Sequence, residues 1–367
     1  VTEEVMDRID GGADIALLDR PSDGTPAASA AANDPDPAAF GGARVLITGG
    51  VGLIGSALAR RLAGLGAELV LLDSMVPEGG ANPANIADIA DPAGGGRARV
   101  NIADIRDTAA LRHLLRGQDF LFDLAAQTSH LESMNAPEHD LAVNCTAQLR
   151  LLELCREVAP EITIVHAGTR QIYGRPRYLP VDEDHPLRPP DVNGVNKMAG
   201  EAYHLMFHDV YGIDTRSLRL TNVYGPGMRI RDARQNFLGI WLRRALEGEV
   251  FEVWGGEQRR ELLYVDDAVE AFLRAALTPG TAGLALNVGG EAPYTLLALA
   301  ETLVRVNGGG RFVRREFPEE RKRIDIGDFV TDDRRFRQLT GWAPRVGLAE
   351  GLGRSLDYYR RHFSLYL

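Results

Sequence analysis

The run Arg44-Val-Leu-Ile-Thr-Gly-Gly-Val-Gly-Leu-Ile-Gly55 constrains this chain more than any other stretch. Val45 to Ile47 is a short apolar run, the pattern of a parallel strand buried on both faces. It ends in glycines at 49, 52 and 55, a G-x-x-G-x-x-G turn. Ile54, Leu58 and Leu62 then recur at i, i+4 and i+8 with arginines between them, which predicts an amphipathic helix. A second strand, Glu68 to Leu72, ends at Asp73.

Each part of that unit suits a dinucleotide. Gly49 permits a tight turn, Gly52 lets the backbone approach a pyrophosphate, and Gly55 lets helix and strand pack closely. The helix N-terminus, with Leu53 and Ile54 in its first turn, offers unpaired N–H groups to phosphate oxygens. Asp73 closes the second strand, where a carboxylate accepts from both ribose hydroxyls. The same charge repels a 2′-phosphate, so the expected cofactor is NAD rather than NADP.

Beyond Asp73 strand and helix alternate, the signature of an α/β, Rossmann-type doubly wound parallel sheet. Strands are expected at 99–102, 120–124, 162–165 and 215–220, and helices at 108–116, 139–158 and 194–211. Residues 41–221 read as the NAD-binding domain, and 222–367 mostly as a smaller C-terminal substrate-binding lobe. Within the latter, 262–288 is expected to return to the first domain, as is a helix over 296–306. Residues 1–40, rich in Ala, Asp, Pro and Gly, read as a flexible extension.

Charge and cysteine usage narrow the function classes. The net charge is −10, which argues against a nucleic-acid partner. Residues 1–40 hold nine acids and two bases, hence −7, so the rest of the chain carries only −3. No apolar run approaches the roughly 18 residues of a membrane span, and no secretory pattern is visible. Cys145 and Cys155 fall on one expected helix about 15 Å apart, too far for a disulfide, so a reducing cytoplasm is the expected setting.

In order along the chain stand Thr48 to Gly55, Asp73, Asp104-Ile-Arg-Asp107, Leu124-Ala-Ala126, Thr169 to Gly174, Lys197, Arg219-Leu-Thr-Asn-Val-Tyr-Gly-Pro226, Tyr264-Val-Asp-Asp267 and Gly341-Trp-Ala-Pro344. Over roughly residues 44–360 this series resembles the extended short-chain dehydrogenase/reductase family, in particular its nucleotide-sugar epimerases and dehydratases. The resemblance implies that NAD takes hydride from a sugar carbon while a tyrosine removes the hydroxyl proton. The keto-sugar then epimerises or eliminates, and the hydride returns. It further implies that Thr169 bonds the reacting hydroxyl and that Lys197 holds the nicotinamide ribose. Asp104, Ile105, Leu124, Ala125 and Ala126 would line the cofactor. Ser129, Asn222, Arg229, Arg260 and Arg323 would bind the nucleotide sugar, with guanidinium forks on its diphosphate. A homodimer formed by pairing the long helices is also implied.

The tyrosine itself is absent. Asn193 holds its place, at i−4 from the lysine in Asp191-Val-Asn-Gly-Val-Asn-Lys197. An amide orients a hydroxyl but does not act as a general base. Three accounts stay open at this point. The base is relocated to Asp191, His130, Tyr173 or a water polarised by Lys197; the chain is a silent NAD- and sugar-binding regulator; or Asn193 is an engineered substitution. Lysine usage favours the first: the chain has only Lys197 and Lys322, and one of them occupies the motif position. The expected function is a nucleotide-sugar epimerase, with dehydratase or decarboxylase as the alternatives within enzymes. No metal is expected, since His204 and His208 lack the glutamate and cysteine partners of a zinc site.

Overall fold

Strand β1 (Arg44–Thr48) sits inside a sheet of seven parallel strands, flanked by β2 (Glu68–Asp73) and β4 (Phe120–Asp123). The computed structural model describes residues 36–76, 79–90, 97–232, 237–319 and 323–367. Outside β2 lies β3 (Ala98–Ile102); beyond β4 follow β5 (Thr163–Thr169), β6 (Thr215–Leu220) and the late strand Ala285–Val288. Strand order therefore reverses between β1 and β4, which opens a crevice beyond their carboxyl ends.

The alternation along β1 explains the layering. Val45 and Ile47 face one core, with helix α1 (Leu53–Leu65) and the later helix Val265–Leu277. Leu46 faces the other, with α2 (Thr108–Leu115), α5 (Ala147–Val158) and α6 (Val192–Tyr211). Between α2 and α5 run two short helices, α3 (His130–Asn135) and α4 (Pro137–Leu141).

A further core gathers around Trp241, Leu242, Phe251 and Leu352, in the second lobe. It is built on β7 (Asn222–Tyr224), α7 (Phe237–Glu247), β8 (Val250–Trp254) and β9 (Arg259–Tyr264). After α8 (Val265–Leu277) and β10 (Ala285–Val288) the chain adds β11 (Pro293–Thr295), α9 (Leu296–Asn307) and β12 (Arg311–Arg315) to it. β7, β9 and β11 form a three-stranded sheet, and β8 pairs with β12.

Four expectations change. Helix α9 does not return to the parallel sheet; its buried Leu299, Ala300 and Leu303 pack into the core of the second lobe. Phe40 is not part of a loose extension, because its ring is fully buried 4.9 Å from that of Phe120; residues 1–35 of the expected extension lie outside the described residues. The single helix expected over 139–158 is instead α4, a wide π turn over Ala142–Thr146, and α5. The π turn carries the Asn144 carbonyl so close to α6 that a Cβ on Gly200 would stand 2.6 Å from it. Strand β5 runs on past its expected end, to Thr169.

Candidate active site

The turn after β1 is shaped by its glycines. Gly49 has φ +64°, and a Cβ there would meet the Leu124 carbonyl at 2.9 Å. Gly55 is tighter still, its would-be Cβ 2.2 Å from the Gly49 oxygen. Gly52 caps α1 without a side chain to occupy the helix N–H groups. Asp73, buried at the end of β2, accepts from the Val51 and Met75 N–H groups at 3.0 Å each. Burial pushes its pKa up, and those two hydrogen bonds oppose the push.

Around this turn lies a cleft of about 690 Å³. Gly49, Gly52, Leu53, Ile54, Gly55, Asp73, Asp104, Ile105, Leu124, Ala125 and Ala126 line it, together with Ser129, Thr169, Asn193, Lys197, Asn222 and Arg229. A left-handed glycine turn, an uncapped helix N-terminus and a carboxylate at the second strand's end fit a dinucleotide. The fold gathers these positions from segments spread between Gly49 and Arg229.

Thr169 caps the turn that follows β5, its Oγ1 accepting from the Gln171 N–H at 3.2 Å. Lys197 is buried and donates from Nζ to the Ala167 carbonyl at 3.2 Å. Burial lowers its pKa, opposed by the charges of Asp123, Asp140 and Glu201. Asn193 is fixed by its own amide: Nδ2 donates to the Gln127 carbonyl at 2.9 Å and to Asp140 Oδ2 at 3.0 Å. Asn196 Nδ2 donates to the other oxygen of Asp140 at 2.8 Å, and Asn144 Nδ2 to the Gln127 carbonyl at 2.9 Å. Asn193 is thus one member of a buried amide–carboxylate network, and its Oδ1 has no partner among the described residues.

Among the candidate bases, Tyr173 is fully buried away from the cleft. Its hydroxyl donates to Asn287 at 2.8 Å and accepts from Arg219 at 2.6 Å. Burial drives its pKa up, although Arg219 opposes. Asp191 caps α6, Oδ1 accepting from Gly194 N at 2.7 Å and Oδ2 from Gln171 Nε2 at 2.9 Å. The same Oδ2 lies 2.9 Å from His130 Nδ1, an ion-pair contact whose angle falls short of an aligned hydrogen bond. Burial pushes the Asp191 pKa up, but the interactions with His130, Gly194 and Gln171 hold it below the usual range. The His130 side chain is partly exposed, whereas that of Asp191 is wholly buried.

A second cavity of about 760 Å³ adjoins the cleft, sharing His130 and Asn222 with it. Phe237, Trp241, Trp254 and Phe317 line it, with Arg170, Arg244, Arg260 and Arg315. The expected diphosphate clamps are engaged within the chain. Arg229 forks onto Asp232 (2.6 Å) and Arg260 pairs with Asp325 (2.5 Å). Arg323 is exposed and lines neither cavity. Ser129 caps α3, accepting from Glu132 N at 3.3 Å, and Asn222 accepts from Arg170 Nη2 at 3.1 Å. His208 bonds the Ile213 carbonyl, whereas His204 joins Asp123 and His166 in a fully buried group whose ligand-type atoms lie within 4.8 Å of one another.

Sequence reading misses Gln127, Asp140, Asn144, Asn196 and Arg170. The spacing Asn193-x-x-Asn196 is the one available signal, since i and i+3 share a helix face.

The match that decides the family covers residues 45–289, from β1 to just past β10. The chain belongs to the NAD dependent epimerase/dehydratase family. It is 31% identical over 322 residues to the UDP-glucose 4-epimerase of Mycolicibacterium smegmatis, covering 86% of this chain and 98% of that one. It is 30% identical over 325 residues to the dTDP-glucose 4,6-dehydratase of Streptomyces griseus, covering 87% and 95%. Among solved structures it is similar to DesIV, the dTDP-glucose 4,6-dehydratase of Streptomyces venezuelae with NAD bound. There the TM-score is 0.78, identity 26% and coverage 88% of this chain and 98% of that one. NAD is the family's cofactor, and the glycine turn with Asp73 fits it.

Proposed function

We propose that the chain is an NAD-dependent epimerase of a nucleotide sugar in which His130, held by Asp191, takes the proton that the absent tyrosine would take. The carrying observation is the 2.9 Å pair of His130 Nδ1 and the buried, α6-capping Asp191 carboxylate, placed where the two cavities meet. A carboxylate facing Nδ1 selects the tautomer that leaves Nε2 as the acceptor, the arrangement general bases use, and such contacts tighten once substrate is bound. NAD, when bound, supplies reversible oxidation of the sugar carbon.

The chain's residues supply the remainder. Thr169 Oγ1 orients the reacting hydroxyl, and Asn193 Oδ1 accepts a second hydrogen bond from the sugar without ionising. Lys197 bonds the nicotinamide ribose and adds positive charge beside the developing alkoxide. The adjoining aromatic cavity receives the nucleotide. Relatives named as epimerases, dehydratases and decarboxylases support the family's chemistry in general; relatives named UDP-glucose 4-epimerase support the epimerase reading. Two copies pairing through α5 and α6 would follow the family habit.

The test follows epimeric products and NADH absorbance with UDP-, dTDP-, GDP- and CDP-sugars. His130→Gln is expected to lower kcat by about 10²-fold or more while NAD affinity stays within about twofold. A variant retaining kcat within a fewfold would overturn the role of His130. Tight sugar binding with neither turnover nor an absorbance transient would instead identify a regulator.

A further inference from the structure

Four arginines line the aromatic cavity, and three of them are neutralised within the chain. Arg260 pairs with Asp325 at 2.5 Å, Arg315 with Glu252 at 3.2 Å and Arg244 with Glu249 at 3.4 Å. Arg170 differs. Among the described residues no carboxylate lies within ion-pair distance of it, and its Nη1 is buried without any acceptor. Its other nitrogen, Nη2, donates to Asn222 Oδ1 at 3.1 Å, and its guanidinium stacks 5.2 Å above the Phe329 ring. Burial and the neighbouring Arg260 pull its pKa down to about 9, only partly offset by Glu261 and Asp325. A half-buried guanidinium whose Nη1 is shut off from water and has no acceptor is costly, and the cost is recovered when an anion arrives.

Position decides which part of a ligand can supply that anion. Arg170 directly follows Thr169 at the carboxyl end of β5, and it bonds Asn222, which belongs to both cavities. It lines the aromatic cavity and is bonded to a residue shared with the NAD cleft, which on the proposed function puts it beside the sugar. The aromatic far end of that cavity, with Arg244 and Arg315 on partly exposed pairs, suits the nucleotide.

Resting on the function proposed above, we propose that Arg170 receives a carboxylate carried by the sugar ring, so that the substrate is a nucleotide-linked uronic acid. A guanidinium fork matches a carboxylate's two oxygens in one plane, and a site built for that pair penalises the uncharged CH₂OH of a neutral hexose. The diphosphate is the competing source of the same anionic oxygens.

Calorimetry on the NAD-loaded full chain separates them, using UDP, UDP-glucose and UDP-glucuronate, and the matching GDP, GDP-mannose and GDP-mannuronate. The uronate is expected to bind at least about tenfold more tightly than its neutral partner. Arg170→Gln should bring that preference to within about twofold and leave the affinity for the free nucleoside diphosphate unchanged. Arg170→Lys, which keeps the charge and loses the fork, should retain part of the preference, and unchanged NAD affinity in both variants reports an intact fold. Equal weakening of nucleotide, neutral sugar and uronate would assign Arg170 to the diphosphate and overturn the inference. So would a wild-type chain that binds neutral sugars at least as well as uronates. A chain that binds NAD but none of these six nucleotides nor their dTDP- and CDP-linked counterparts would sink the function reading itself, and this inference with it.

Discussion

At the scale of single residues, Asn193 is held as part of a structure of its own. Its two amide hydrogens are consumed by Gln127 and by Asp140, which also accepts from Asn196. A tyrosine introduced there gives up both amide bonds and leaves Asp140 Oδ2 one donor short. Asn193→Tyr is therefore expected to cost about 1–3 kcal/mol of stability and to lower activity rather than raise it. Urea denaturation beside a turnover assay checks both; a more active, equally stable variant would mean that the amide is a remnant. The network also explains why the position is misleading in sequence. Asn193 reads there as a lost group, whereas the members of its network come from α4, the π turn and the loop before α3.

At the scale of elements, the β1–α1 turn carries the most strictly fitted backbone. A methyl group on Gly55 would overlap the Gly49 oxygen at 2.2 Å, and both residues meet through main chain that cannot swing aside. Gly55→Ala is expected to push α1 off the sheet, cost about 1–3 kcal/mol and weaken NAD binding more than about tenfold. Fluorescence titration with NAD alongside denaturant unfolding would show it; unchanged affinity would mean that the turn does not hold the pyrophosphate. The π turn is the second informative element. It lets one extra residue into the helix, which places Asn144 against Gln127 and presses the widened backbone on Gly200 of α6. Apolar periodicity passes through such a turn almost unaltered, so the sequence reads as one helix.

At the scale of the molecule, β4, β5 and α6 each bring one member to the buried group of Asp123, His166 and His204. Thr48 donates to Asp123 at 2.7 Å, and His166 Nδ1 stands 3.0 Å from the other oxygen. Burial would raise the Asp123 pKa, but the hydrogen bond with His166 and the nearby His204, 3.7 Å away, hold it well below the usual range. Burial and the adjacent His204 hold His166 down to about 3. Its folded pKa is thus below the value of about 6.5 expected in the unfolded chain, so the unfolded state binds this proton first. The stability contributed by neutral His166 is complete above about pH 6.5 and drains away as the pH falls toward 3. Urea midpoints measured from about pH 7 down to about pH 4 should fall steadily, and His166→Gln should flatten that slope. Parallel slopes in the two proteins would remove His166 as the cause.

Local chemistry was enough for the sequence to determine the dinucleotide half of this protein. A glycine turn, the helix after it and the carboxylate at the end of β2 are neighbours in the chain, and each needs only near-sequence geometry to be recognised. Membership in the family and the positions of Thr169 and Lys197 followed from motifs of the same short range. The tertiary structure alone decided which groups face one another across the cleft. Asp191 meets His130 from a distant part of the chain, Arg170 finds no carboxylate within ion-pair distance among the described residues while Arg260 finds Asp325, and α9 joins the core of the second lobe instead of the sheet. Pairings of that kind depend on where separate elements stop and how their faces close. Burial then fixes their energetics, and no local pattern in the chain records it.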